Sequence, residues 1–176
     1  KKLYVGNYDG INSIDLSQEN KFNNEILLRK HIIYSLYQNQ EGILWAGSTA
    51  GLIKVDTKTK KITYYTTKEG LAGNTVYAIQ GDDKGYLWLS TNYGITQFNT
   101  NKDHCTNYYM GDGLQGNEFY KNASMKDVNG TLWFGGINGI TFFNPEDIST
   151  PGFNMNIRIT DFYLKDEPVR KGTLSD

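Results

Sequence analysis

The stretch Gly85-Tyr-Leu-Trp88-Leu-Ser90-Thr-Asn-Tyr-Gly94-Ile-Thr-Gln-Phe-Asn99 decides the fold, because the chain repeats it. The same pattern stands at Gly42-Ile-Leu-Trp45-Ala-Gly47-Ser-Thr-Ala-Gly51-Leu-Ile-Lys-Val-Asp56 and at Gly130-Thr-Leu-Trp133-Phe-Gly135-Gly-Ile-Asn-Gly139-Ile-Thr-Phe-Phe-Asn144. The chain opens inside a further copy, Leu3-Tyr4-Val5-Gly6-Asn7-Tyr8-Asp9-Gly10-Ile11, with Tyr4 at the tryptophan position. The aromatic positions 4, 45, 88 and 133 are separated by steps of 41, 43 and 45. A second signature keeps the same phase: Gly70-Leu-Ala-Gly-Asn74-Thr-Val-Tyr77 matches Gly113-Leu-Gln-Gly-Asn117-Glu-Phe-Tyr120, and Tyr34 lies 43 residues before Tyr77.

Around the opening stretch, each unit resolves into short apolar runs separated by turn residues. Val76–Gln80, Tyr86–Ser90, Ile95–Asn99 and Cys105–Tyr109 read as strands. Gly81–Gly85, Thr91–Gly94 and Thr100–Asp103 read as turns, since Gly, Asn and Asp tolerate positive φ or bond their own backbone. Four strands in about 40–45 residues make the blade of a β-propeller. A helical solenoid conflicts with this strand-and-turn chemistry, and leucine-rich repeats differ in length and pattern.

The expected fold is therefore all-β: a partial β-propeller of about four four-stranded blades over residues 1–148. The first blade is partial, covers residues 1–23 and lacks its inner strand. The others span about 31–66, 76–109 and 119–148. Trp45, Trp88 and Trp133, with Tyr4, are expected to wedge between neighbouring blades, and Gly51, Gly94 and Gly139 complete the repeat core, closing the turn before each third strand. Residues 149–176 read as a linker, Ser149-Thr-Pro-Gly152, followed by a strand from Met155 to Leu164 that opens a second, sandwich-type domain. The chain is expected to be cut before that sandwich is complete.

Composition agrees and excludes other classes. Of 176 residues, 38% are hydrophobic and 14% aromatic, with 13 tyrosines and 19 glycines, a bias toward pleated, packed surfaces. The net charge is −1 and no basic face is evident, which argues against nucleic acid as a partner. Cys105 is the single cysteine, so no internal disulfide framework exists. No signal peptide or membrane-spanning stretch is legible.

The (Leu/Ile)-Trp-x-(Gly/Ser) core, the Gly-Leu-x-Gly-Asn lead-in and the Asp-x-x-Gly turn together resemble the two-component regulator propeller repeat, from Leu3 to Asn144. The resemblance implies a periplasmic sensor in which propellers precede an immunoglobulin-like module (the Y_Y_Y domain), a membrane helix and a cytoplasmic histidine kinase. It implies a membrane-anchored parent in a hybrid two-component system, and it ties the family to breakdown products of polysaccharides. A closed propeller of this kind typically has seven blades, more than this chain holds. Uncovered blade faces lead to the expectation of a homodimer.

No catalytic, metal or cofactor constellation is legible. His31 and His104 are the only histidines, and His104-Cys105 are strand neighbours whose side chains point to opposite faces. Most acidic residues occupy turns, and Asp82-Asp83-Lys84-Gly85 lacks the ligand spacing of a calcium loop. In an up-and-down blade, the turn after the second strand and the lead-in to the first share a face. That face carries Tyr8, Asn92, Tyr93 and Asn138, whose rings and amides suit the hydroxyls and apolar faces of an oligosaccharide. A propeller that docks a protein on this face is the second reading. An enzyme propeller is the third.

Overall fold

The computed structural model describes residues 2–17, 23–148, 163–164 and 167–168. Its strands fall into successive antiparallel sheets, each up-and-down in chain order. The first sheet joins β1 (Lys2–Gly6), β2 (Gly10–Asp15) and β3 (Asn23–Arg29). The second joins β4 (Ile33–Gln38), β5 (Ile43–Ser48), β6 (Gly51–Asp56) and β7 (Ile62–Tyr65). The third joins β8 (Val76–Gly81), β9 (Tyr86–Thr91), β10 (Gly94–Asn99) and β11 (His104–Tyr108). The fourth joins β12 (Phe119–Lys126), β13 (Leu132–Gly136) and β14 (Gly139–Phe143). Among the described residues the only helical pieces are the 3-10 turns Thr67–Glu69 and Met110–Asp112. The first strands β4, β8 and β12 touch one another, even β4 and β12 from blades two apart, so they line the axis of a propeller.

Two expectations are corrected here. The first blade does not end at residue 23: β3 pairs with β2 out to Arg29 as its outer strand. The strand starts on the polar Asn23-Asn24, but Ile26, Leu27 and Leu28 bring apolar surface to the blade, and Leu28 is buried. The last blade has three strands rather than four among the described residues, with an Asn144–Asp147 turn after β14. The expected sandwich strand, Met155–Leu164, lies outside the described residues but for Tyr163–Leu164, which pair with Glu167–Pro168.

The core lies between blades. One layer joins Ile11 and Leu28 of the first blade to Ile33, Leu44 and Ile53 of the second. The next seats Trp45 and Leu52 against Leu87, Leu89 and Phe98. The third seats Trp88 and Ile95 against Phe119, Leu132 and Phe134. Trp45 and Trp88 are each 1% exposed, and each aromatic plate meets the next blade edge-on or tilted, as Trp45 does Phe98 and Trp88 does Phe143. Trp133 holds the same place on the last blade, where no blade follows among the described residues. It is half-buried, stacked on the exposed Phe142 beside Met125 and Ile140.

The Asp-x-x-Gly turn serves the tryptophan. Asp82 accepts from the backbone N–H groups of Lys84 and Tyr86 with one oxygen, and from Trp88 Nε1 at 3.0 Å with the other. Asp127 repeats this arrangement with Trp133 Nε1 at 3.1 Å. The second blade carries Asn39 at this position. Its single oxygen accepts from Ile43 N, and the buried Trp45 Nε1 has no partner.

Candidate ligand-binding face

The lead-in motif is a set of backbone devices. Thr66 and Glu69 form a reciprocal cap on the 3-10 turn, and Asn74 Oδ1 accepts from Thr67 N. Leu71 plugs the blade interface and is buried. Ala72 N donates to Thr96 Oγ1 at 2.9 Å, as Gln115 N does to Thr141 Oγ1 at 3.0 Å. Gly73 lets Asn92 lie against the chain, where Asn92 Oδ1 accepts from Thr75 N at 3.0 Å. Asn138 stands against Gly116 in the same way, and its N–H donates to Gln115 Oε1 at 2.7 Å.

The four residues expected to meet a ligand thus divide in two. Asn92 and Asn138 brace the lead-ins, although both remain exposed. Tyr8 and Tyr93 project, 77% and 55% exposed, and Tyr93 lies 5.6 Å from the ring of Tyr109. All four occupy turns after the second strand of a blade, on three blades. Asn92 and Tyr93 are neighbours, and no hydrogen bond or ring contact joins them to Tyr8 or Asn138.

Nearer the axis, on the same face, stands a group that the repeat pattern treated only as phase marks. Tyr34 and Tyr77 come from the first strands of adjacent blades, with ring centroids 5.6 Å apart. Lys121, from the last blade, places Nζ 5.9 Å from the Tyr34 ring. Burial raises the Tyr77 phenol above its ordinary pKa, and the neighbouring Tyr34 and Glu118 add to the rise.

The opposite face carries the Asp-rich turns and a groove of about 570 Å³ between Tyr37, Gln80, Asp83 and Lys126. Some of its polar side chains are paired. Lys126 Nζ reaches Asp83 at 2.8 Å, and Gln80 Nε2 donates to Ser124 Oγ at 2.9 Å. Cys105 lies under the lead-in of the third blade, with its thiol directed at the Glu69 carbonyl 3.6 Å away. Burial, reinforced by Asp103 and Glu69, pushes that thiol up to about 11, so it stays protonated at neutral pH and is a poor nucleophile.

Comparison with known proteins agrees with this architecture. Residues 70–93 match the two-component regulator propeller family, a span that runs from the lead-in glycine through the first two strands of the third blade. Histidine kinase P4 of Formosa agariphila is 29% identical over 140 residues, 80% of this chain and 7% of its own length. The extracellular domain of the hybrid two-component system BT3049 of B. thetaiotaomicron superposes with a TM-score of 0.73 at 24% identity, over 98% of this chain and 25% of that one. The corresponding domain of BT4673 gives 0.65 at 17%, over 81% of this chain and 20% of that one. The chain therefore spans a small part of each of these relatives. The third blade carries the copy that the two-component regulator propeller pattern matches, and the same strand-and-turn pattern recurs in the other blades.

Proposed function

We propose that this chain is a section of the signal-input propeller of a hybrid two-component sensor, that it works in the periplasm, and that it responds to oligosaccharides released from polysaccharides. The observation that carries this reading is the in-phase two-component regulator repeat, shared with a histidine kinase and with extracellular sensor domains. Tyr8 and Tyr93 supply exposed rings, and Asn92 and Asn138 amides, on one face of the blades. Polar turn groups around apolar rings are what a sugar recruits. In the parent, a differential affinity equivalent to about 1–3 kcal/mol between two arrangements of the sensor suffices to switch a poised kinase.

A thermal-shift screen against short neutral and uronic-acid oligosaccharides tests the ligand class. A sugar selective for the folded state raises the unfolding midpoint, and the rise grows with its concentration. A midpoint unmoved by the whole set would favour the second reading, a propeller that docks a protein on this face.

A further inference from the structure

The first strand of each complete inner edge carries a β-bulge at the same place. In β4 the pairing with β5 slips between Ile33 and Ser35, so Tyr34 is the extra residue. In β8 it slips between Val76 and Ala78, so Tyr77 is the extra residue. In β12 it slips between Phe119 and Ser124, a longer excursion that contains Tyr120 and Lys121. A bulge re-aims the side chain of its extra residue, and bulges gather at sheet edges and beside functional sites. Here the edge is the one that lines the axis.

Three features set this group apart from ordinary packing. The in-phase bulges each present a tyrosine, at 34, 77 and 120, and no hydroxyl of the three has a partner among the hydrogen bonds of the described residues. The Tyr77 ring also packs against the layer that holds Trp88 and Phe119, so its hydroxyl is the part left over for a ligand. The last bulge is enlarged around Asn122, which adopts φ of 59°, a left-handed conformation that a non-glycine residue holds at some cost. That enlargement accounts for the 45-residue step from Trp88 to Trp133, against 43 from Trp45 to Trp88. Finally, the enlarged bulge carries Lys121 across the axis to the ring of Tyr34, two blades away. Lys121 makes no ion pair among the described residues.

We propose that Tyr34, Tyr77 and Tyr120, with Lys121 and Glu118, form an axial binding site for a pyranose oligosaccharide. The rings offer stacking surfaces for the apolar faces of the sugar. The phenol hydroxyls, the Lys121 ammonium and the Glu118 carboxylate offer donors and acceptors for its hydroxyls. Tyr8, Asn92, Tyr93 and Asn138 stand on the same face, away from the axis, and form its outer rim. The assignment rests on the sugar-sensing reading above and names the site within it.

Calorimetric titration of the purified protein with short neutral and uronic-acid oligosaccharides tests it, using Tyr77→Ala, Tyr77→Phe and Lys121→Ala beside Tyr93→Ala and Asn138→Ala. The expected result is a weakening of roughly tenfold or more for Tyr77→Ala, from the lost stacking surface. Tyr77→Phe retains more of the affinity than Tyr77→Ala. Lys121→Ala, at an exposed position that leaves the melt unchanged, weakens binding severalfold. Wild-type affinity in both Tyr77→Ala and Lys121→Ala, with loss in Tyr93→Ala or Asn138→Ala, overturns the axial site and leaves the sugar-sensing reading standing. No heat from any oligosaccharide with the wild-type protein removes both.

Discussion

Replacing Trp88 by alanine lowers the stability of the chain by about 3–5 kcal/mol, the cost of deleting a fully buried aromatic side chain from a packed core. The indole is 1% exposed and lies between Tyr108 of its own blade, at 5.7 Å, and Phe143 of the next, at 4.7 Å. Ile95, Leu132 and Phe134 belong to the same packed layer. Removing the indole leaves a void that these rigid sheets cannot close, and it frees Asp82 Oδ2 from its ring N–H partner. Trp133→Ala makes the informative comparison. The same residue type in the same repeat position keeps its turn hydrogen bond, but one side of its ring is open. Its loss amounts to about 1–2 kcal/mol, mostly transfer free energy without a cavity. Urea unfolding of the two variants measures the difference. Equal losses would mean that the tryptophans do not stack blade on blade.

Gly51→Ala is the second large effect, and Gly139→Ala is its control. Both glycines open the third strand of a blade with φ in the left-handed range, 97° and 129°. A β-carbon at Gly51 would lie 2.1 Å from the Tyr65 carbonyl oxygen, in the backbone of the outer strand β7. A backbone atom in a paired strand cannot move aside without breaking the ladder. Strain and collision together cost about 3 kcal/mol or more. At Gly139 a β-carbon meets nothing within 4 Å among the described residues, which include no outer strand for the last blade. Gly139→Ala therefore costs backbone strain alone, about 1 kcal/mol. Thermal unfolding of the pair reads this contrast directly. A similar cost at both positions would place the penalty in the turn and not in the outer strand.

The blade architecture was legible because the physics that builds it repeats. Each blade buries its face only against the next, so the same plate-like residue recurs at the same place, and Trp45, Trp88 and Trp133 mark it. In the third blade the strands read from the residues agree with those observed to within a residue at either end. The outer strand Asn23–Arg29 was missed because its polar start shows no apolar alternation, and only pairing with β2 makes it a strand. That residues 119–148 hold three strands and not four was not legible, since Asn144-Pro-Glu-Asp closes β14 with turn chemistry like that of the earlier blades.

The site was less legible. The turns holding Asn92 and Asn138 were visible, but their bracing of the lead-ins depends on how closely Gly73 and Gly116 allow the chains to approach. A bulge leaves no compositional trace. The tyrosines at 34, 77 and 120 showed only as a phase of 43, and the sole sign of the enlarged bulge was a step two residues too long.

The equivalence of the tryptophans carries the whole account, and fluorine NMR of fluorotryptophan-labelled protein tests it most directly. Exchanging the solvent from water to deuterium oxide shifts the resonance of a ring that touches solvent and leaves a dry ring unmoved. The Trp45 and Trp88 resonances are predicted to stay in place, and the Trp133 resonance to shift. Solvent-sensitive resonances for Trp45 and Trp88 would contradict the stacked blades and the sensor reading built on them.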